Sequence, residues 1–164
     1  MEKQQKIALS VAGAVAAVLV IVALVLFLGR GSIVRQGSFE APPLETNAVA
    51  GAPGDLDESL SYREMAVKED YVVSLCATPK MEGDSLVLYF TSAPANTDLM
   101  KVRVLDEAGQ LLGESGLLPP DHYLPRLTLS RVPASGEMIT VQVMAYEPET
   151  YYSGGSVRLN VYVQ

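Results

Sequence analysis

The sequence predicts an all-β protein: one antiparallel sandwich of about seven strands, preceded by a single transmembrane helix. Three observations lead there. An unbroken apolar run occupies residues 7–28. Period-two alternation of apolar and polar residues recurs from Tyr71 to the end, with turn signals between the segments. No helical pattern as long as about 12 residues interrupts that alternation.

The run from Ile7 to Leu28 reads IALSVAGAVAAVLVIVALVLFL, with no charge, no Pro and one Gly. At about 1.5 Å per residue, a helix of this length crosses the ~30 Å hydrocarbon core, so residues 7–28 are expected to contact membrane lipid. A cleaved signal peptide is the rival reading. Its apolar core is ~7–15 residues and ends in small residues. This run is longer and ends Leu28-Gly29-Arg30-Gly31, without an Ala-x-Ala pattern, which favours a retained anchor. Lys3 and Lys6 precede it and Arg30 and Arg35 follow it, a nearly even balance. From Gly31 onward there are 9 Lys+Arg against 18 Asp+Glu. That acidic excess places the six-residue head, 1–6, in the cytoplasm and the carboxy-terminal domain outside the cell. Ala8/Ala12, Ala12/Ala16 and Gly13/Ala17 are small-xxx-small pairs, which permit weak self-association through the helix.

Residues 29–61 are rich in Gly, Pro, Ala, Ser and acids, without apolar period. Such composition does not repay its ordering entropy and reads as a flexible linker. Leu56 and Leu60 share one helical face, which suggests a short helix over 56–67. The folded unit is then 62–164, the size of one sandwich.

Within that unit, Tyr71–Ala77 puts Val73 and Leu75 on one face, and Ser85–Thr91 does so with Leu86, Leu88 and Phe90. Leu99–Leu105 sets Met100, Val102 and Val104 against Lys101 and Arg103. Asp106-Glu107-Ala108-Gly109 reads as a hairpin turn, returning through a short strand at Gln110–Gly113. Pro125–Ser130 follows, then a turn at 132–136. Met138–Tyr146 and Ser156–Val163 complete the set. Half-polar faces argue for antiparallel sheets.

Laid on an immunoglobulin-like order, the seven strands become A, B, C, C′, E, F and G. The tight turns 106–109 and 132–136 then share one end. The loops 92–98, 114–124 and 147–155 share the other. The run Ser115-Gly116-Leu117-Leu118-Pro119-Pro120-Asp121 resembles a Ser-Gly-Leu-x-Pro-Pro-Gly pattern, with Gly136 and Gly155 ahead of later strands. Over about residues 71–164 the chain is similar to small membrane-anchored, immunoglobulin-like surface proteins of Gram-positive bacteria. That group has no established activity, so the resemblance implies location and fold alone. Asp121 stands where the pattern has Gly.

Catalytic chemistry finds no motif. His122 is the sole histidine, with Asp121 beside it and Ser115 and Ser130 near in sequence, but nothing resembles Gly-x-Ser-x-Gly. Cys76 is the sole cysteine and reads as a small buried hydrophobe. One His and one Cys exclude a His/Cys zinc cage. The acidic pairs Glu69/Asp70, Glu82/Asp84 and Asp106/Glu107 sit at strand ends, where solvated turn residues are common. Neither a cofactor nor a metal is expected. The net charge of −7 opposes nucleic-acid binding.

The segment Tyr146-Glu147-Pro148-Glu149-Thr150-Tyr151-Tyr152-Ser153-Gly154-Gly155 has the composition of a contact surface. Its tyrosines either bind a partner or fold back over the sandwich. Tyr146, Tyr151 and Tyr152, with Asn96 and His122 from the neighbouring loops, are the candidate partner-binding residues. The expectation is a non-enzymatic, single-pass surface module that engages a protein. The alternative is a subunit of an envelope-spanning secretion, conjugation or cell-wall assembly complex. The full chain is expected to fractionate with membranes, and protease added outside intact cells is expected to remove the domain. An amino terminus beginning near Gly31, or full protection from protease, would contradict this.

Overall fold

The computed structural model describes residues 41–67 and 71–164, which are all-β and antiparallel in their sheets. The expected span at 7–28, the linker as far as residue 40, and the Glu69/Asp70 pair lie outside the described residues. Among those described, no helix is long and apolar enough to cross a membrane.

Among the described residues ten strands form two sheets: β1 (Val49–Ala50), β2 (Tyr62–Val67), β3 (Tyr71–Cys76), β4 (Lys80–Glu82), β5 (Ser85–Ser92), β6 (Leu99–Leu105), β7 (Leu111–Glu114), β8 (His122–Thr128), β9 (Met138–Tyr146) and β10 (Ser153–Tyr162). The first sheet runs β1-β8-β5-β3-β2, with β4 also paired to β5. The second runs β10-β9-β6-β7. Their facing sides carry the alternating residues read from sequence. Leu86, Leu88 and Phe90 of β5 share one core with Val102 and Val104 of β6 and Ile139, Val141 and Val143 of β9. Each such side chain contributes about 1.5–3 kcal/mol when fully buried.

The turns follow from local chemistry. At 106–109 the Asp106 carbonyl accepts from Gly109 N at 2.9 Å and its carboxylate accepts from Gln110 N at 2.8 Å, with Gly109 at φ 80°. Across that end, Arg131 is paired with Glu137 at 2.7 Å and Asp106 at 3.6 Å, joining the two tight turns. On the solvent face of the second sheet, Glu114 is pushed up by burial. The hydrogen bonds and charges of Arg103 and Lys101 outweigh that and hold it below the usual carboxylate range.

Besides β4, which the alternation did not mark, three features depart from the sequence reading. Pro125 does not start its strand. It lies inside β8, where the β5 register slips between Val87 and Phe90, and a bulge tolerates its missing N–H. The suggested helix over 56–67 is a single 3-10 turn, Glu58–Leu60, ended by left-handed Ser61. From Tyr62 the chain pairs with β3 over six positions, so strand pairing overrides the weak Leu56/Leu60 periodicity.

The third departure is the segment 41–61. Composition assigns it to the linker, yet it belongs to the same compact unit as the sandwich, spanning 41–164. Leu117 N donates to the Pro43 carbonyl at 2.9 Å and Glu45 N donates to the Leu117 carbonyl at 2.8 Å, a short parallel pairing. The Glu45 carboxylate accepts from Gly116 N at 2.7 Å and Asn47 N at 2.9 Å. Val49 and Ala50 then pair with Tyr123 and His122. This strap covers the outer edge of 115–118 and of β8. Gly116 is where it crosses: a β carbon there would lie 2.7 Å from Glu45 N.

A fragment spanning 41–164 is expected to fold alone, and to be more stable to urea than one spanning 62–164. Val141, fully buried, is the test of the core. Val141→Asp is expected to unfold the domain, because an unpaired carboxylate costs several kcal/mol against a typical total of ~5–15 kcal/mol. Arg103→Ala, on the solvent face, is expected to cost about 1 kcal/mol or less. Equal urea midpoints for the two variants would contradict the assigned faces.

Candidate functional site

Strand direction gathers three loops at one pole. β5 ends there at Ser92, which pairs with His122 at the start of β8 and with Val73 of β3. β9 ends there at Tyr146, which pairs with Leu99 at the start of β6 and with Ser153 at the start of β10. The loops 93–98, 119–121 and 147–152 therefore lie together, opposite the tight turns. They carry Asp98, Asp121, Glu147 and Glu149, and no Lys or Arg.

Asn96 is a brace in this pole. It is buried, and its side-chain amide is spent on the frame. Its Oδ1 accepts from Val72 N at 2.8 Å, and its Nδ2 donates to the Val72 carbonyl at 2.7 Å and to Ser92 Oγ at 3.0 Å. The residue thus acts as an extra pairing partner for β3 where the chain leaves β5. Both of its amide hydrogens are donated to the frame and its Oδ1 accepts from it once.

His122 is half-buried, with Nδ1 2.8 Å from the Pro120 carbonyl. A carbonyl only accepts, so Nδ1 carries the proton in that bond. The two serines near it in sequence are committed elsewhere. Ser115 Oγ accepts from Val102 N at 3.0 Å and donates to the Gly116 carbonyl at 2.7 Å, while Ser130 Oγ donates to the Leu112 carbonyl at 2.9 Å. Asp121, in the pattern's glycine position, has φ 55°, the left-handed conformation that glycine adopts freely and Asp tolerates. Its carbonyl accepts from Gly51 N at 2.7 Å.

The tyrosines divide into packed and presented. Tyr146 folds back along its strand, its hydroxyl 3.6 Å from Met144 Sδ. Tyr151 is half-buried with φ 57°. Tyr152 is 76% exposed. The loop beneath it is closed on itself. Tyr151 N donates to the Glu147 carbonyl at 2.8 Å, and Glu147 N donates to the Tyr152 carbonyl at 3.0 Å. The Thr150 hydroxyl donates to the Glu147 carboxylate and accepts from Tyr152 N at 3.2 Å. A large exposed ring thus stands on a hydrogen-bonded turn, so little ordering entropy would be lost on contact.

A second knot, Tyr71 with Asp98 and Gly154, was missed by sequence reasoning. A β carbon on Gly154 would lie 3.0 Å from both Asp98 Oδ2 and the Tyr71 hydroxyl. The signal available was the Gly154-Gly155 pair inside a strand pattern, which marks close backbone approach.

Cys76 is buried, and loss of solvation pushes its thiol up to about 11. Among the described residues, no group of three or more His, Cys, Asp or Glu side chains is placed to hold a metal ion.

No family model and no curated protein matches the chain. Among solved structures, the β-glucuronidase of Ruminococcus gnavus, free and in complex with uronic isofagomine, is similar over 58% of this chain at 15% identity, with a TM-score of 0.37. That match spans 15% of the enzyme's own chain, and at this score it carries no argument about activity.

Asn96→Ala is expected to cost about 1–3 kcal/mol, because the Val72 N–H loses its acceptor. Asn96→Asp keeps that acceptor and loses the two donated bonds, so it is expected to destabilise as well. Urea denaturation checks both; two unchanged midpoints would remove Asn96 from the frame.

Proposed function

We propose that this chain is a single-pass, membrane-anchored module that presents an immunoglobulin-like sandwich outside the cytoplasm and engages a protein partner through its loop pole. The pairings β3–β5, β5–β8, β6–β9, β9–β10 and β6–β7 support the immunoglobulin-like reading, since they are those of strands A–B, B–E, C–F, F–G and C–C′. The apolar run at 7–28 supports the anchor.

The observation that carries the contact is Tyr152, exposed on a closed turn and flanked by Glu147 and Glu149. Tyrosine is enriched among residues that dominate interface energy. Three loops that carry four carboxylates and no Lys or Arg suit a partner that offers a basic rim around an apolar pocket.

The test uses the full chain in its native membrane, with a photo-crosslinking residue at position 152 to capture the partner. Tyr152→Ala is expected to weaken binding of the captured partner at least about tenfold, roughly 1.4 kcal/mol. Because the ring is exposed, circular dichroism is expected to be unchanged. Tyr151→Ala changes a half-buried, left-handed residue and so tests packing and contact together. Unaltered affinity for Tyr152→Ala would move the contact off this pole.

A further inference from the structure

The strap has a direction. Residues 115–118 run toward the loop pole, because β7 is antiparallel to β6 and Leu118 reaches Met100. Leu44 pairs with Leu117 in parallel, so the strap also runs toward the pole. Further on, β1 is antiparallel to β8, which leaves the pole, and gives the same direction. The strap's first residue is therefore its end remote from the pole.

We infer that residues 41–56 form a shear latch, which holds under tension between an anchor and a partner and then releases a fixed length of chain. This rests on the proposed contact at the pole and anchor upstream. Tension between those points draws residue 41 away from the pole, along the strap axis. In that geometry the bonds at Pro43, Glu45 and Gly51 and the pairing of β1 with β8 share the load together. Peeled from one end, they would open singly.

The release also has a stop. Leu60 is buried with Cys76 and Val87, in a second small cluster on the outer face of the first sheet. Around it, Ala77 N donates to the Ser61 carbonyl at 3.1 Å, Thr78 N to the Leu60 carbonyl at 3.2 Å, and Thr78 Oγ1 to the Ser59 carbonyl at 2.6 Å. Release is confined to the chain before that plug, a contour of roughly 55 Å at ~3.3–3.6 Å per residue. The strap holds by few bonds, whereas β9 and β10 pair at nine positions, so the strap yields before the sandwich.

The test is single-molecule pulling of the full chain, held in a surface-bound lipid nanodisc and pulled through Tyr152→Cys; the buried thiol at Cys76 leaves that handle selective. Two rupture events are expected, the first adding at most roughly 55 Å, the released contour less the distance already spanned between residue 41 and the plug. Gly116→Val, which obstructs the crossing, and Glu45→Ala, which removes the carboxylate without obstruction, are each expected to lower the first rupture force about twofold or more and leave the second unchanged. A single rupture, or a first force that neither variant changes, overturns the latch. Pulling needs no partner, so failure of the latch and failure of the Tyr152 contact are read separately.

Discussion

One dry interface between two sheets holds this domain together. Strand side chains alternate, so each sheet has one apolar face, and neither sheet is stable with that face in water. Bringing β5, β8 and β3 over β9, β6 and β10 buries both faces at once. The rest follows from closing that interface. The loops must span from one layer to the other at its two ends, and the strand edges at its sides must be paired, covered or left to solvent.

Those demands explain where polar chemistry is found inside the fold. Asn96 fills a pairing position at the point where the chain leaves β5 for the other sheet. Ser115 takes up Val102 N where the second sheet's outer strand gives way to irregular chain. Glu45 satisfies two backbone donors beside the glycine that lets the strap cross. Among the described residues, no buried side-chain N or O lacks a hydrogen-bond partner. A bulged sheet meets the same rule on its outer face. Left-handed Tyr89 sits in the β5 slip, its carbonyl accepts from Thr91 Oγ1 at 2.9 Å, and Thr91 in turn accepts from the Tyr62 hydroxyl at 2.6 Å.

Much of this was legible because alternation reports burial directly. Met138–Tyr146 and Leu99–Leu105 are strands with the boundaries their patterns suggest, since each has one face in the core and one in solvent. The same logic failed for β2, whose Tyr62 and Met65 serve different apolar clusters on opposite sides of one sheet. It failed again at 41–51. A Pro- and acid-rich segment buries little, and it is ordered by backbone bonds and one carboxylate, which composition does not register. For the pole, strand alternation was enough to place the three loops together. It could not separate Tyr152 from Tyr146, because that depends on a backbone turn closed by Glu147 and Thr150 rather than on residue type. Asn96 was legible as a loop residue but not as a brace, since its partners lie 24 positions away at Val72.

The buried sulfur of β3 has a bearing on durability. Loss of solvation pushes this thiol up to about 11, which keeps it in the neutral form, whereas the thiolate is the nucleophile that attacks peroxides and disulfides. Its place beneath Leu60 adds a steric barrier to the chemical one. An odd cysteine ordinarily exposes a protein in an oxidising medium to crosslinking with its neighbours. Here burial and the Leu60 plug both shield the sulfur, so reagents in solution reach it only through local opening of that cluster.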